Sequence, residues 1–183
     1  MSTATATATS TWVIDNYHSE VHFKVKHLVI TTVTGKFNSF SGKVVTENDD
    51  FTDAKISFNA DINSISTGAE GRDNHLKSAD FFDAESHPQL TFESTGFSKK
   101  GGDYILNGDL TIRGVTKPVE LNVEFLGIEK DPFYGKTKAG FEINGKIHRK
   151  DFGLQWDVLT ESGGAVVSNE VKLHANIQLD KEA

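Results

Sequence analysis

The sequence contains no cysteine. That excludes disulfides, thiolate nucleophiles, iron–sulfur clusters and every zinc site built with sulfur, leaving His, Asp and Glu as the metal donors. Long hydrophobic runs are missing as well. Charges interrupt each apolar stretch short of the roughly 18 consecutive residues that suggest a membrane span. Basic residues are outnumbered, 19 against 26 acidic, for a net charge of −7, which argues against a non-specific electrostatic grip on nucleic acid. The opening MSTATATATST lacks the basic start and apolar middle of a secretory signal, so the expected location is cytoplasmic. Its low-complexity residues 1–11 are expected to form a disordered tail, with one domain over 12–181.

Several enzyme signatures are also missing: Gly-x-Ser-x-Gly, a glycine-rich phosphate loop, Gly-x-Gly-x-x-Gly and His-Glu-x-x-His. A site assembled from residues distant in sequence stays open. What the chain does have is phenylalanine, 13 of its 18 aromatic residues. These rings carry large apolar area and no polar tip, so they either fill a core or line an apolar cavity.

The dominant pattern is alternation with period two, the mark of a strand with one dry and one wet face. Val21, Phe23 and Val25 alternate with His22, Lys24 and Lys26; Ile56, Phe58, Ala60 and Ile62 alternate with polar partners. Val119–Phe125 and Val171–Leu179 repeat it. With segments near 29–46, 89–97, 103–113 and 136–149, this predicts about eight strands, mainly antiparallel, in a barrel or a sandwich. One short helix is expected near 69–79, capped by Ser66, Thr67 or Gly68. Loops are expected over 129–135 and 157–169. Asn107-Gly108 and Asn144-Gly145 would ordinarily mark hairpin turns. The apolar phase runs straight through both, so they are read as glycines inside continuing strands, at a bend or a close approach.

Candidate chemistry falls in four places. His18, Glu20 and His22 alternate as metal ligands would, but Lys24 and Lys26 continue that face and would repel a cation. The row reads as a solvated outer face, with no metal expected. His27 falls in phase with the apolar row and is read as a hydrogen-bonded core histidine. Arg72, Asp73 and His75 lie beside Phe81-Phe82 and could either hold an anionic head group or form surface pairs. Arg113 to Pro118 reads as a hairpin turn whose Arg113 and Lys117 could meet phosphate. Arg149 and Asp151 read as a structural ion pair where a strand leaves the sheet.

Taken in order, several pieces resemble the YceI-like family of bacterial polyisoprenoid-binding proteins over nearly all of Trp12 to Leu179. They are Trp12-Val13-Ile14-Asp15 with His18-Ser19, the strand from Phe23 to His27, and Gly35-Lys36-Phe37 before Phe40-Ser41-Gly42. Ser64-Ile65-Ser66-Thr67-Gly68, Arg72-Asp73, His75-Leu76 and Asp80-Phe81-Phe82-Asp83-Ala84 follow, then Pro88, Thr91-Phe92 and Ser94-Thr95. Gly108 through Val119 and Arg149-Lys150-Asp151-Phe152-Gly153-Leu154 complete the set. The chain departs from the pattern at His87 and His148. The resemblance implies an all-β, eight-stranded antiparallel lipocalin-like barrel enclosing an elongated apolar pocket for an isoprenoid chain. It also implies a homodimer, and many relatives carry a secretion signal and a periplasmic role.

The expected function is therefore a non-catalytic carrier of a long-chain isoprenoid or similar amphipathic lipid, with no cofactor, no nucleic-acid partner and no integral membrane segment. Expected lining residues, taken from the apolar phase of each strand, are Phe23, Val25, Phe37, Phe58, Ile62, Phe92, Leu110, Ile112, Val123, Phe125, Phe141 and Ile143. Leu76, Phe81 and Trp156 would close an end. Arg72, His75 and Arg113 are the expected head-group contacts. The competing expectations are a lipid-modifying enzyme using Arg72, Asp73 and His75, and a structural or stress-related protein whose barrel is filled by its own phenylalanines.

Overall fold

The computed structural model describes residues 8–183. Eleven strands form one antiparallel sheet: β1 Ser10–Ile14, β2 Glu20–His27, β3 Thr31–Phe37, β4 Phe40–Thr46, β5 Lys55–Asp61, β6 Ile65–Ser66, β7 Gln89–Lys100, β8 Asp103–Ile112, β9 Val115–Lys130, β10 Thr137–His148 and β11 Val167–Lys181. They amount to eight ribbons. β1 and β2 lie in series along the same edge of β11, pairing Trp12 with Lys181 and Phe23 with Leu173. β3 and β4 continue one another in the same way, as do β5 and β6. The β1–β11 pairing closes the ring, so the expected eight-stranded barrel is present. Every ribbon has a neighbour on both sides, although β7 meets β5 only over Gln89–Glu93.

Both Asn-Gly pairs sit inside strands, as the uninterrupted phase requires. Gly108 lies opposite Val119 within β8, and a Cβ there would run into the Phe92 ring. This glycine therefore marks a close approach. The chain turns instead at Arg113-Gly114, with φ of 51° and 73°.

The helix α1 spans Glu70–Lys77. Its N-cap is Ala69 rather than any of the three expected residues, and Ala69 has no capping side chain. Asp73 compensates by reaching back, accepting hydrogen bonds from the Thr67 amide at 2.8 Å and the Thr67 hydroxyl at 2.6 Å. The expected tail of 1–11 falls largely on residues 1–7, outside the described residues. Ser10 and Thr11 already belong to the barrel, paired with Thr46 and Val45.

One end of the barrel is plugged from within. Phe51, carried by the β4–β5 loop, is 1% exposed and packs against Trp12, Phe125 and Phe141 with ring centroids 5.1–5.7 Å apart. Tyr104 donates to the Asp50 carbonyl at 3.0 Å and ties that loop down. At the other end α1, Phe81 and Trp156 cover the barrel, and a second cluster forms around Phe37, Phe40, Ala60, Ile62 and Ile65.

An ionic cluster fastens the seam between β1, β10 and β11. Lys138 donates to Asp180 at 2.6 Å and to Asp15 at 3.1 Å. Burial works to raise the Asp15 pKa, but hydrogen bonds from His18, Lys138 and the Tyr17 amide, with the Lys138 charge, outweigh it and lower the value to about 2. A depressed carboxyl stabilises the fold above the ordinary aspartate range and loses that contribution as pH falls toward 2. Lys138→Met is expected to lower stability at pH 7 by about 1 kcal/mol after allowance for solvent screening. It should also flatten the acid limb of a plot of melting temperature against pH. An acid limb identical to the native one would show that the cluster contributes nothing.

Candidate functional site

Between the two ends the barrel encloses a cavity of about 190 Å3. Its wall is hydrocarbon almost throughout, because every ribbon but the bent segments turns its apolar phase inward. An apolar cavity of about 150 Å3 stays dry and takes up benzene, so this space is large enough for a hydrocarbon and offers water nothing to bond.

Nine of the fifteen expected lining or closing residues stand on the wall: Phe23, Phe37, Phe58, Phe92, Leu110, Ile112, Val123, Phe141 and Ile143. Six do not. Val25 pairs with Val33 and Val171 near the end of β2, beyond the wall. Ile62 belongs to the second packed cluster, and Leu76 packs against both clusters. Phe125 is absorbed by the Phe51 plug, its ring 5.1 Å from that of Phe141. Phe81 and Trp156 lie off the wall at one end, each meeting the His75 ring edge to face at 5.0 Å.

The expected head-group residues are not on the wall. Arg72 donates to the Thr67 hydroxyl at 2.7 Å and the Thr67 carbonyl at 2.8 Å, which pins the segment leading into α1. His75 is paired with Asp80 at 2.8 Å. Arg113 donates to the Phe81 carbonyl at 2.8 Å, holding the β8–β9 turn against the covering segment. Nor do Arg72, Asp73 and His75 converge on one point as a catalytic group would, since Thr67 and Asp80 take up their polar atoms.

Residues the sequence reading missed complete the wall. Leu106, Val119, Leu121, Ala175 and Ile177 share the same legible alternation; Val44 and Phe97 belong to strands whose pattern is less regular. Phe51 carried no signal, because a loop residue has no phase.

Arg149 is 4% exposed and donates to four carbonyls, those of Ser168 (2.9 Å), Leu154 (2.7 Å), Trp156 (2.8 Å) and Val167 (3.0 Å). Burial lowers its pKa and the nearby Asp157 opposes that shift. The expected partner, Asp151, instead lies 3.9 Å from His148, and Asp157 stands 3.9 Å from Arg149. The residue is structural, as expected, through backbone carbonyls more than through an ion pair.

A model of the YceI-like domain matches residues 12–179. The chain belongs to the YceI-like family. A UPF0312 protein of Staphylococcus aureus is 35% identical over 90% of this chain and 94% of its own length. The YCEI protein of Campylobacter jejuni is 30% identical, with a TM-score of 0.71 over 87% of this chain and 91% of that one. A structure described as a polyisoprenoid binding domain from Saccharophagus degradans shares the fold at 17% identity, with a TM-score of 0.66 over 93% and 98%. Within this YceI-like barrel, a Cβ on Gly108 would meet the Phe92 ring and the Glu93 carbonyl. Gly108→Ala is expected to cost about 1–3 kcal/mol through overpacking and to push that ring inward, as a chemical melt and a cavity-probe titration would record. Unchanged probe binding would mean that the strand, not the ring, moves.

Proposed function

We propose that this barrel is a non-catalytic holder of an amphipathic lipid, its hydrocarbon an isoprenoid or similar chain. The observation that carries the reading is the apolar cavity walled by Phe23, Phe58, Phe92, Leu110 and Ile143. The Saccharophagus degradans domain of the same fold, described as polyisoprenoid binding, supports it. The predominance of hydrocarbon on the wall assigns affinity to burial of an apolar chain, with its polar end outside.

The volume sets a scale. If about 150 Å3 takes the six carbons of benzene, the present cavity of about 190 Å3 takes roughly eight, one and a half isoprene units. At about 0.8 kcal/mol per carbon group this is roughly 6 kcal/mol gross, which limits a rigid barrel to tens of micromolar. Tighter binding of a long chain requires rings such as Phe23 and Phe58 to rotate aside. Organic extraction of the purified protein followed by mass spectrometry, with titration of prenyl and fatty-acyl probes, tests the reading. Co-purified lipid or saturable probe binding is expected. No lipid and no binding of either probe would overturn it, and turnover of a bound lipid would place the protein among enzymes.

A further inference from the structure

We propose that the turn joining β2 to β3 docks this protein onto the surface of an anionic phospholipid bilayer. The inference stands apart from what the cavity holds. Leu28 and Val29 form that turn with φ of 52° and 66°, closed by a hydrogen bond from the Ile30 amide to the His27 carbonyl. Left-handed φ at two consecutive turn positions is the habitat of Asn-Gly. For a β-branched valine it is a strained conformation. The strain holds two aliphatic side chains and Ile30 out at the barrel's end, where a polar turn would be more stable.

The patch extends beyond the turn. The Leu28 amide donates to the Val166 carbonyl, the Val166 amide donates to the Val158 carbonyl, and Val29 reaches Gly164. Leu28, Val29, Ile30, Val158 and Leu159 are together between 39% and 79% exposed. Such a contiguous apolar surface marks an interaction site.

Charge selects the partner. Behind the tip, on the outer face of the sheet, Lys24 lies directly opposite Lys172, and Lys26 is one step nearer the turn. Like charges set across a strand pair oppose folding. The neighbouring Lys146 and Lys150 are neutralised by Glu170 and Asp157, whereas Lys24, Lys26 and Lys172 have no ion pair among the described residues. Of the two carboxylates on the patch's own loop, Asp157 is taken up by Lys150 at 2.8 Å, which leaves Glu161 for the three lysines to outnumber. A basic patch behind an aliphatic tip, on a chain of net charge −7, fits anionic headgroups over hydrocarbon. A second copy fits poorly: a two-fold contact would set the lysines against themselves, and five side chains fall short of the roughly 20–30 residues a side of a stable interface.

The test is co-sedimentation of the full chain with phosphatidylcholine vesicles, with and without phosphatidylglycerol. Binding is expected only with phosphatidylglycerol, weakening as salt is raised. Leu28→Asn with Val29→Gly should lower vesicle binding at least about tenfold while raising the melting temperature, since it installs the residues the turn prefers. A triple change of Lys24, Lys26 and Lys172 to Glu should abolish vesicle binding, and Phe133→Ser with Tyr134→Ser, on the loop at the opposite end, should leave it intact. No binding of the native chain to phosphatidylglycerol vesicles, or undiminished binding by the turn variant, would overturn the proposal. So would a dimer in sedimentation velocity that the turn variant dissolves.

Discussion

Arg149→Met is expected to destabilise the protein by about 3–5 kcal/mol, the range seen when one partner of a buried ionic arrangement is removed. Four carbonyls converge on this guanidinium from both arms of the β10–β11 crossover. Methionine preserves much of the volume but leaves those acceptors buried without donors, and each unpaired group costs about 1–3 kcal/mol. Relaxation of the loop toward water recovers part of this, so the contributions do not add. In a chain of this size each kcal/mol moves the melting temperature by roughly 2–4 °C, which puts the expected fall at about 6–20 °C. Arg149→Lys should recover only a fraction, because an ammonium cannot present the planar fork that reaches all four oxygens. A calorimetric scan within about 2 °C of native for Arg149→Met would show that the crossover is held by its packing, with Phe152 and Leu154 sufficient.

Ala175→Trp is expected to reduce binding of a prenyl or fatty-acyl probe by at least about 100-fold. Ala175 stands on the cavity wall between Ile143 of β10 and Val21 of β2, both also on the wall. An indole at this position occupies the space the hydrocarbon would take, and overpacking adds about 1–3 kcal/mol of destabilisation. Asn176→Trp supplies the matching control, because successive residues of a strand point to opposite faces and Asn176 is exposed. Its binding should equal that of the native chain. Equal loss in both variants would trace the effect to sheet distortion, and loss in neither would place the binding site outside the barrel.

Phe58 and Ala60 share one phase of β5 and were equivalent by pattern, yet Phe58 lines the cavity and Ala60 is fully enclosed in the second cluster. The twist of the strand separates them, and twist accumulates across a sheet instead of being encoded at a position. Phe125 and Phe141 likewise alternate inward on paired strands, but the arrival of Phe51 from a distant loop decides that Phe125 is plug and Phe141 also wall. Arg72 and Arg113 were placed near bound head groups because cations beside aromatics suit that chemistry. Both are instead absorbed by backbone carbonyls that no spacing rule could pair with them.

The sequence alone determined about eight mainly antiparallel strands, the apolar phase of each and the short helix that precedes β7, while the choice of a barrel over a sandwich came from the resemblance to the YceI-like family. The sequence could do so because period-two alternation is a local property of an extended chain, readable without knowing its neighbours. Tertiary structure alone decided which inward residues enclose empty space and which fill it, and which cations are left free at the surface. Those outcomes depend on contacts between segments far apart in the chain, where volume and hydrogen-bond demand are satisfied jointly.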